Sequence, residues 1–440
     1  MTTPATARTV DHLIARMQDA RARTEELFKI VRPEAMFDRP IPERHRIIFY
    51  LGHLEAFDWN LLRGPLSLEM FHPEFDKLFS FGIDPVGGGL PDDQPKDWPS
   101  VEEIRGYNAR LRSALDAGLA AAADELGLNR LEGGRLLEVA IEHRLMHAET
   151  LCYMLHQLPY DRKFPQPEPP APAARHAAPH MVEIPAGTAT LGLRRGEDEL
   201  FGWDNEFEEH RVEVPAFAVD AYNVTHREYL QFMLAGGYRH REFWSDEGWT
   251  WISARNHEHP VFWERRGGLW SYRAMFEEVP LPMDWPVYVS HAEASAYARW
   301  AGKGLPSEAE WHRAAYAARD GSERAYPWGA EPPTSRHGNF DFQRWNPTPV
   351  GAYPAGASAF GVYDLLGNGW EWTRTLFAPF RRFEPFPFYR GYSADFFDGK
   401  HFVMKGGSPR TAACMLRRSF RNWFQPHYPY VYAAFRCVQR

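Results

Sequence analysis

The sequence predicts an α+β protein in two parts, a four-helix bundle followed by a loop-rich α+β domain. Three observations carry that expectation. Residues 8–158 set apolar residues at helical spacing, residues 159–180 are dominated by Pro and Ala, and from Met181 short runs alternate apolar and polar residues between clusters of Gly, Pro and Trp. At 440 residues the chain is long enough for each part to bury a core of its own.

The helices follow in order. The segment VDHLIARMQDARARTEELFKIV carries Leu13, Met17 and Leu27 on one face, with polar residues between them. RHRIIFYLGHLEAFDWNLL, from Arg44, is a second and more apolar helix. VEEIRGYNARLRSALDAGLAAAADEL, from Val101, is a third, built from Ala, Leu, Glu and Arg, which are strong helix formers. GGRLLEVAIEHRLMHAETLCYMLHQL is the fourth, opened by the pair Gly133–Gly134 and ending at Leu158. A long Gly/Pro-rich connection over 64–100 separates the second helix from the third, which suits a bundle with one extended crossover.

Residues 159–180 have little to bury and read as a semi-rigid extended linker. Beyond it, MVEIPAGTATLG and HRVEVPAFAVDAYNVT alternate as half-buried strands do, and HAEASAYARWAGKGLPSEAEWHRAAYAA holds two short helices. Ser307 followed by Glu310 is a capping-box pattern for the second of these. The aromatic share of 15%, most of it after residue 200, fits a domain in which rings fill the gaps that regular elements leave.

Composition excludes several classes. A net charge of −8 argues against a nucleic-acid partner. Three cysteines, Cys152, Cys414 and Cys437, cannot form a disulfide framework and fit a reducing compartment. The first ten residues lack the apolar core of a signal peptide, and no apolar run is long enough to span a bilayer, so a soluble cytoplasmic protein is expected.

The stretch EHRLMHAETL raises the functional question. Residues four apart on a helix share a face, so His143 and His147 can converge on one point. Glu149 lies about 200° round from His147, out of reach of that point, and is assigned to hydrogen bonding with a neighbouring helix or a ligand. His53, in the apolar run FYLGHLEAF, is the candidate third ligand. The competing reading is two ordinary hydrogen-bonded histidines and a satisfied core histidine, with Glu55 and Asp58 solvated or structural. Three neutral imidazoles would leave about half of an octahedral sphere open, which suits either a metal binding substrate and dioxygen together or a catalytic zinc holding water. The residues alone leave these alternatives open.

At these residues the chain resembles known families. Its first part is similar to DinB-like bundles, in which one helix supplies H-x-x-x-H-x-E and an earlier helix supplies a third histidine. Its second part resembles the formylglycine-generating-enzyme (C-type-lectin-like) fold. The matching pieces are FGWDNEFEEHRVEVPAFAVDAYNVTHREYLQF, PVYVSHAEASAYARWAGKGLPSEAEWHRAAY, YDLLGNGWEWT, KGGSPR and FRNWFQPHYPYVYAAFRC. The pairing in this order is similar to the ergothioneine-biosynthetic sulfoxide synthases and their ovothiol-pathway relatives. The resemblance implies a DinB-like iron-binding bundle over 8–158, a linker over 159–180 and a substrate-binding domain over 181–440. It implies Fe(II) on His53, His143 and His147. It also implies O2-driven formation of a C–S bond between a thiol and the imidazole of hercynine or histidine, with a sulfoxide as product. Substrate contacts are implied at Asn422 and Trp423 in RNWF, at the next residue Phe424, and at Met146.

The departures shape the expectation further. Relatives that use γ-glutamylcysteine carry an acidic residue where this chain has Phe424, so free cysteine is the expected thiol. The residue before the second histidine of the pair is often Gln in the family and is Met146 here, which leaves hercynine and histidine both open as acceptor. The segment after WEWT carries a proton-donating tyrosine in family members, and Phe380 aligns there. Without that hydroxyl, oxidation of the thiol to a sulfinate becomes the alternative outcome. Tyr389 and Tyr392 lie nearby and either supply that hydroxyl or serve in packing, the commoner role of tyrosines in such segments, so no catalytic tyrosine is assigned.

Other motifs read structurally. Asn368, Trp370 and Trp372 in GNGWEWT belong to a turn-and-strand core, and His312 is a structural histidine. Arg421 and Arg436 pair with buried carboxylates or grip a substrate carboxylate, and Glu308 is left unassigned. Three alternatives remain beside the sulfoxide synthase. They are a thiol dioxygenase or C–Se bond-forming relative, a formylglycine-generating oxidase, and a non-catalytic module with a vestigial metal site. The second needs two close cysteines, which Cys414 and Cys437 do not reproduce.

Overall fold

The computed structural model describes residues 10–80, 91–122, 125–170, 172, 178–195 and 201–440. It divides into two compact units, Met1–Gln166 and Pro167–Arg440.

The first unit is helical. Its elements are α1 (Val10–Ile30), α2 (Ile47–Leu62), α3 (Pro73–Leu78), α4 (Val101–Ala121), α5 (Glu125–Arg130) and α6 (Arg135–Gln157). The four long helices pack in sequence: α1 lies on α6, α6 on α2, and α2 on α4. On α1 the buried residues Val10, Leu13, Met17, Ala20, Thr24, Leu27 and Ile30 recur every three or four positions, the stripe that lets one face of a helix enter a core. α2 is buried nearly all round, as its apolar composition requires.

Local signals set the ends. Ser100 and Glu103 form a reciprocal capping box on α4, with Glu103 N–H donating to Ser100 Oγ and Ser100 N–H to Glu103 Oε2. α6 is capped at its N-terminus by Gly134, whose φ of +88° favours glycine and whose missing side chain makes room for Leu13. Beyond α6 the buried Lys163 donates from Nζ to the carbonyl of Leu155, satisfying an acceptor of the last turn, and Phe164 N–H bonds back to Ile30.

Two expectations change here. The third helix, expected to run to residue 126, stops at Ala121, and Gly127 then lies against the backbone of Ala122, where any side chain would collide. The proline-rich segment is also less free than expected. Arg344 Nη1 donates to Glu168 and Pro169, and Trp345 N–H donates to Glu168. Proline carbonyls lack neighbouring N–H partners, and the guanidinium supplies donors to them. Residues 171 and 173–177 of the expected linker, and residues 81–90 of the crossover, lie outside the described residues.

The second unit carries the sheets. Its strands are β1 (Met181–Ile184), β2 (Gly187–Leu191), β3 (His210–Val214), β4 (Phe217–Asp220), β5 (Trp263–Arg266), β6 (Leu269–Arg273), β7 (Glu278–Pro280), β8 (Gly369–Leu376), β9 (Phe402–Gly407), β10 (Asn422–Phe424), β11 (Ala433–Ala434) and β12 (Val438–Gln439). Its helices are α7 (His226–Leu234), α8 (Asp246–Arg255), α9 (His291–Trp300) and α10 (Glu308–Tyr316). The sheets run β1-β4-β12, β10-β9-β8-β11, β2-β3 and β5-β6-β7.

α10 opens with the expected box, Ser307 Oγ accepting from Glu310 N–H and Glu310 Oε2 from Ser307 N–H. Its inner face packs Trp311, Ala314 and Ala315 into a core with Ile184, Val214, Phe217, Leu365 and Val438. Within GNGWEWT, Asn368 Oδ1 accepts from the N–H and hydroxyl of Thr348, and Trp372 donates to the carbonyl of Val289. Glu371 accepts two bonds from the fully buried Arg436 and one from Trp311, each 2.7 Å long. The remaining Arg436 donors reach the carbonyls of Asp220, Ala221 and Tyr363, so a buried ion pair is satisfied on every side. Arg421 pairs with Glu308 at 3.0 Å. Both arginines are thus committed to carboxylates of the fold.

Candidate metal centre

His53 stands on α2, and His143 and His147 stand one turn apart on the adjacent α6. Their ligand nitrogens lie within 4.8 Å of one another. The Nε2 atom of His147 is 3.2 Å from that of His53 and 3.1 Å from that of His143. All three side chains are buried.

Burial sets their charge. It pushes the pKa of His53 down to about 4 and those of His143 and His147 well below the usual imidazole range. The rings are therefore neutral at pH 7, each with one bare nitrogen. For His53 the tautomer follows from geometry. Its Nδ1–H donates to the carbonyl of Phe79 at 2.6 Å, which leaves the Nε2 lone pair facing the other two rings.

The carbonyl arrives there for a local reason. Phe79 packs against α2 at Gly52, where an added Cβ would stand 2.6 Å from the phenyl ring. A glycine inside a helix costs about 1 kcal/mol against alanine, and here its smallness admits the residue that orients His53.

Behind the three histidines lies a buried charge network. Arg144, next to His143, donates to Glu55 at 2.9 Å, to the carbonyl of Leu54 at 2.8 Å, and to Asp58. Glu55 also receives Arg112 at 2.6 Å. Of the two roles left open for Glu55 and Asp58, the structural one holds, since both are buried. The network joins the α2 segment bearing His53 to the α6 segment bearing His143.

Met146 sits half-buried on α6 beside His147, its carbonyl accepting the Thr150 hydroxyl at 3.1 Å. Glu149 is buried on the same helix. The remaining expected contacts belong to the second unit. Asn422, Trp423 and Phe424 form β10, paired antiparallel with β9. The half-buried Trp423 indole stacks on Phe377 with centroids 4.1 Å apart and planes 6° apart, and Phe424 stacks on Tyr428 at 5.2 Å. Phe380 lies under the Arg421 guanidinium, 4.0 Å from it. Tyr392 stacks on Trp203 at 3.9 Å, and burial pushes the buried Tyr389 hydroxyl up to about 12, so both fit the packing role.

Residues 16–151 match the DinB superfamily, and residues 166–440 match the Sulfatase-modifying factor enzyme 1-like domain. The hercynine oxygenase of Mycobacterium tuberculosis is 39% identical over 348 residues, covering 77% of this chain and 77% of that protein. The hercynine oxygenase of Mycolicibacterium thermoresistibile is 34% identical over 442 residues, 96% of this chain and 94% of the relative. The chain belongs to the hercynine oxygenase family. A larger relative, the ergothioneine biosynthesis protein 1 of Neurospora crassa, is 30% identical over 493 residues, 92% of this chain and 55% of that protein.

In this member of the hercynine oxygenase family the histidine cluster fits a metal ion. Three neutral rings bring ring nitrogens within 4.8 Å of one another in a dry interior, two of the pairs at 3.1–3.2 Å, which is a donor set able to hold a cation. The all-imidazole donor set suits Fe, Zn, Cu or Ni better than Mg or Ca. Several supporting residues were not anticipated from sequence: Phe79, Gly52 and Arg144. Gly52 was the readable signal, a glycine within an apolar helix directly before the histidine.

Proposed function

We propose that this protein is an oxidoreductase that joins the sulfur of a small thiol to the imidazole ring of hercynine (or histidine), using O2 and leaving the product as a sulfoxide. The reaction balances with one O2 per turnover. The thiol loses its hydrogen, the imidazole loses a ring hydrogen, one oxygen atom stays on sulfur and the other leaves as water. The observation that carries the reading is the convergence of His53, His143 and His147 in a chain of this family. Fe(II) is the proposed metal, and when bound it supplies adjoining positions at which thiol, imidazole and O2 are brought together.

The chain's own residues do the rest. His53, His143 and His147 hold the ion as neutral donors, and the Phe79 carbonyl fixes the tautomer of His53. Asn422, Trp423 and Phe424 bind substrate, the Trp423 ring offering an aromatic face to a quaternary ammonium group. Phe424 stands where relatives that use γ-glutamylcysteine carry an acidic residue, which favours free cysteine over γ-glutamylcysteine. Met146 adds an apolar contact beside His147.

A second reading, oxidation of the thiol to a sulfinate, is favoured by Phe380, which brings no hydroxyl to its position. One experiment decides between them. Anaerobically purified protein loaded with Fe(II) is incubated with hercynine or histidine against cysteine or γ-glutamylcysteine, and the products are weighed. The expected product is one oxygen heavier than the C–S-linked conjugate, with O2 consumed only when both substrates are present. A sulfinate formed from the thiol alone establishes the second reading. No adduct from any pairing removes the synthase assignment.

A further inference from the structure

Along α2, phenylalanines stand four residues before and four residues after His53, in the run FYLGHLEAF. Positions four apart share a helix face, so Phe49, His53 and Phe57 form one stripe. The Phe49 ring lies flat on the His53 ring, with centroids 4.8 Å apart and planes 17° apart. The Phe57 ring reaches across to α6 and lies flat on His143, with centroids 3.4 Å apart and planes 10° apart. Against His53 itself Phe57 is only tilted, at 6.2 Å and 60°. Its parallel contact is with the ligand of the other helix.

Such stacking has a mechanical consequence. Once χ1 is set, an imidazole ring turns about its Cβ–Cγ bond in a broad, shallow well, and this turn decides where Nε2 points. His53 has a hydrogen bond to Phe79 that stops the turn. At His143 a parallel phenyl ring at van der Waals distance closes one face, so rotation would drive the imidazole edge into the phenyl. We propose that Phe57 is a positioning residue that holds the His143 ring in the plane needed for metal binding, and that Phe49 does the same in lesser degree for His53. The inference rests on the reading of the three histidines as a metal site, and names what keeps that site preorganised.

The test uses Co(II) alone as probe, added anaerobically to full-length metal-free protein. Its visible d–d absorption reports ligand geometry independently of turnover. Phe57→Leu keeps the apolar volume and removes the flat face; Phe57→Tyr keeps the face. Wild type should take up about one Co(II) per chain. Phe57→Leu should bind about tenfold more weakly, the size of effect that loss of a ligand-orienting partner gives, and shift the d–d bands. Phe57→Tyr should restore both affinity and bands. Phe49→Leu should lose less, because Phe79 still holds His53. Urea unfolding of the metal-free variants separates general destabilisation from ring positioning, and Phe57→Met replaces Phe57→Leu if that variant does not fold. Wild-type affinity and bands in Phe57→Leu, or a Phe57→Tyr variant as weak as Phe57→Leu, would overturn the inference. Absence of Co(II) uptake by wild type would instead remove the metal site itself, and this inference with it.

Discussion

Replacing Arg144 with methionine tests how much the buried charges behind the histidines contribute. Arg144 is 1% exposed and bonds to Glu55, Asp58 and the Leu54 carbonyl. Without it, Glu55 keeps Arg112, but Asp58 loses the cation that its carboxylate meets. Removing one partner of a buried pair costs about 3–5 kcal/mol. Asp58 softens that cost. Burial already raises its pKa to about 6 against the opposing pull of Arg144, so in the variant it takes a proton at neutral pH instead of standing as an isolated charge. The loss should therefore fall at the low end, about 3 kcal/mol. With a urea slope of about 2 kcal/mol per M, the helical unit's midpoint, followed by far-UV circular dichroism, should drop by about 1.5 M. Adding Asp58→Leu should recover more than half of the loss, since an apolar replacement of the whole pair leaves nothing to compensate. A loss under about 1 kcal/mol, or a double variant no more stable than the single one, would show that Arg144 does not clamp α2 to α6.

Two smaller perturbations test the second unit. Ser307→Ala removes the acceptor that caps α10 and should cost about 1 kcal/mol in the unfolding free energy, with Ser307→Thr close to wild type. Lys405→Met tests a buried ammonium whose pKa burial lowers from 10.5 to about 8. Between those values the unfolded chain holds a proton that the folded chain has released, so stability rises with pH through that window. At about 1.4 kcal/mol per pH unit, the unfolding free energy of wild type relative to Lys405→Met should climb by on the order of 3 kcal/mol from pH 8 to 10.5. A flat difference over that range would refute it.

Much of the site was legible because helix geometry is rigid. Two histidines four apart must share a face, and His53 stood out as a polar residue in a run that otherwise buries everything. What surrounds them was not legible, because it depends on contacts across the bundle. The acceptor for His53 is a backbone carbonyl 26 residues away, and carbonyls leave no trace in a sequence. Glu55 and Asp58 could not be placed, because an almost wholly buried helix has no solvent face from which to tell a surface carboxylate from a buried one. Arg421 and Arg436 were undecided for a related reason: Glu308 and Glu371 lie 113 and 65 residues away. In the second unit, signals existed that periodicity passes over. Thr225 and Glu228 form a capping box on the short α7, and Gly267–Gly268, both at positive φ, make the two-residue turn of the β5–β6 hairpin. Such elements are too short to establish a period of their own.

The charges around the site also constrain what binds there. His53, His143 and His147 are neutral donors, and the His53 Nδ1–H rests on a carbonyl where a carboxylate would pass partial negative charge through the ring. Glu55 and Asp58, the acidic residues next to His53 in the sequence, are directed at Arg144 and Arg112. A dication held by these rings would meet no negative charge from the three donors themselves, which would favour anionic donors such as a thiolate at its remaining positions. His147→Glu tests this, because it keeps a metal-binding side chain while cancelling one positive charge. The Co(II)-loaded variant, titrated with cysteine, should need at least about tenfold more thiol than wild type to reach half of its spectral change, a difference of about 1.4 kcal/mol. An unchanged thiol midpoint in a variant that still holds one Co(II) would mean that neutrality of the donors does not set thiol affinity, and that contacts to the rest of the thiol do.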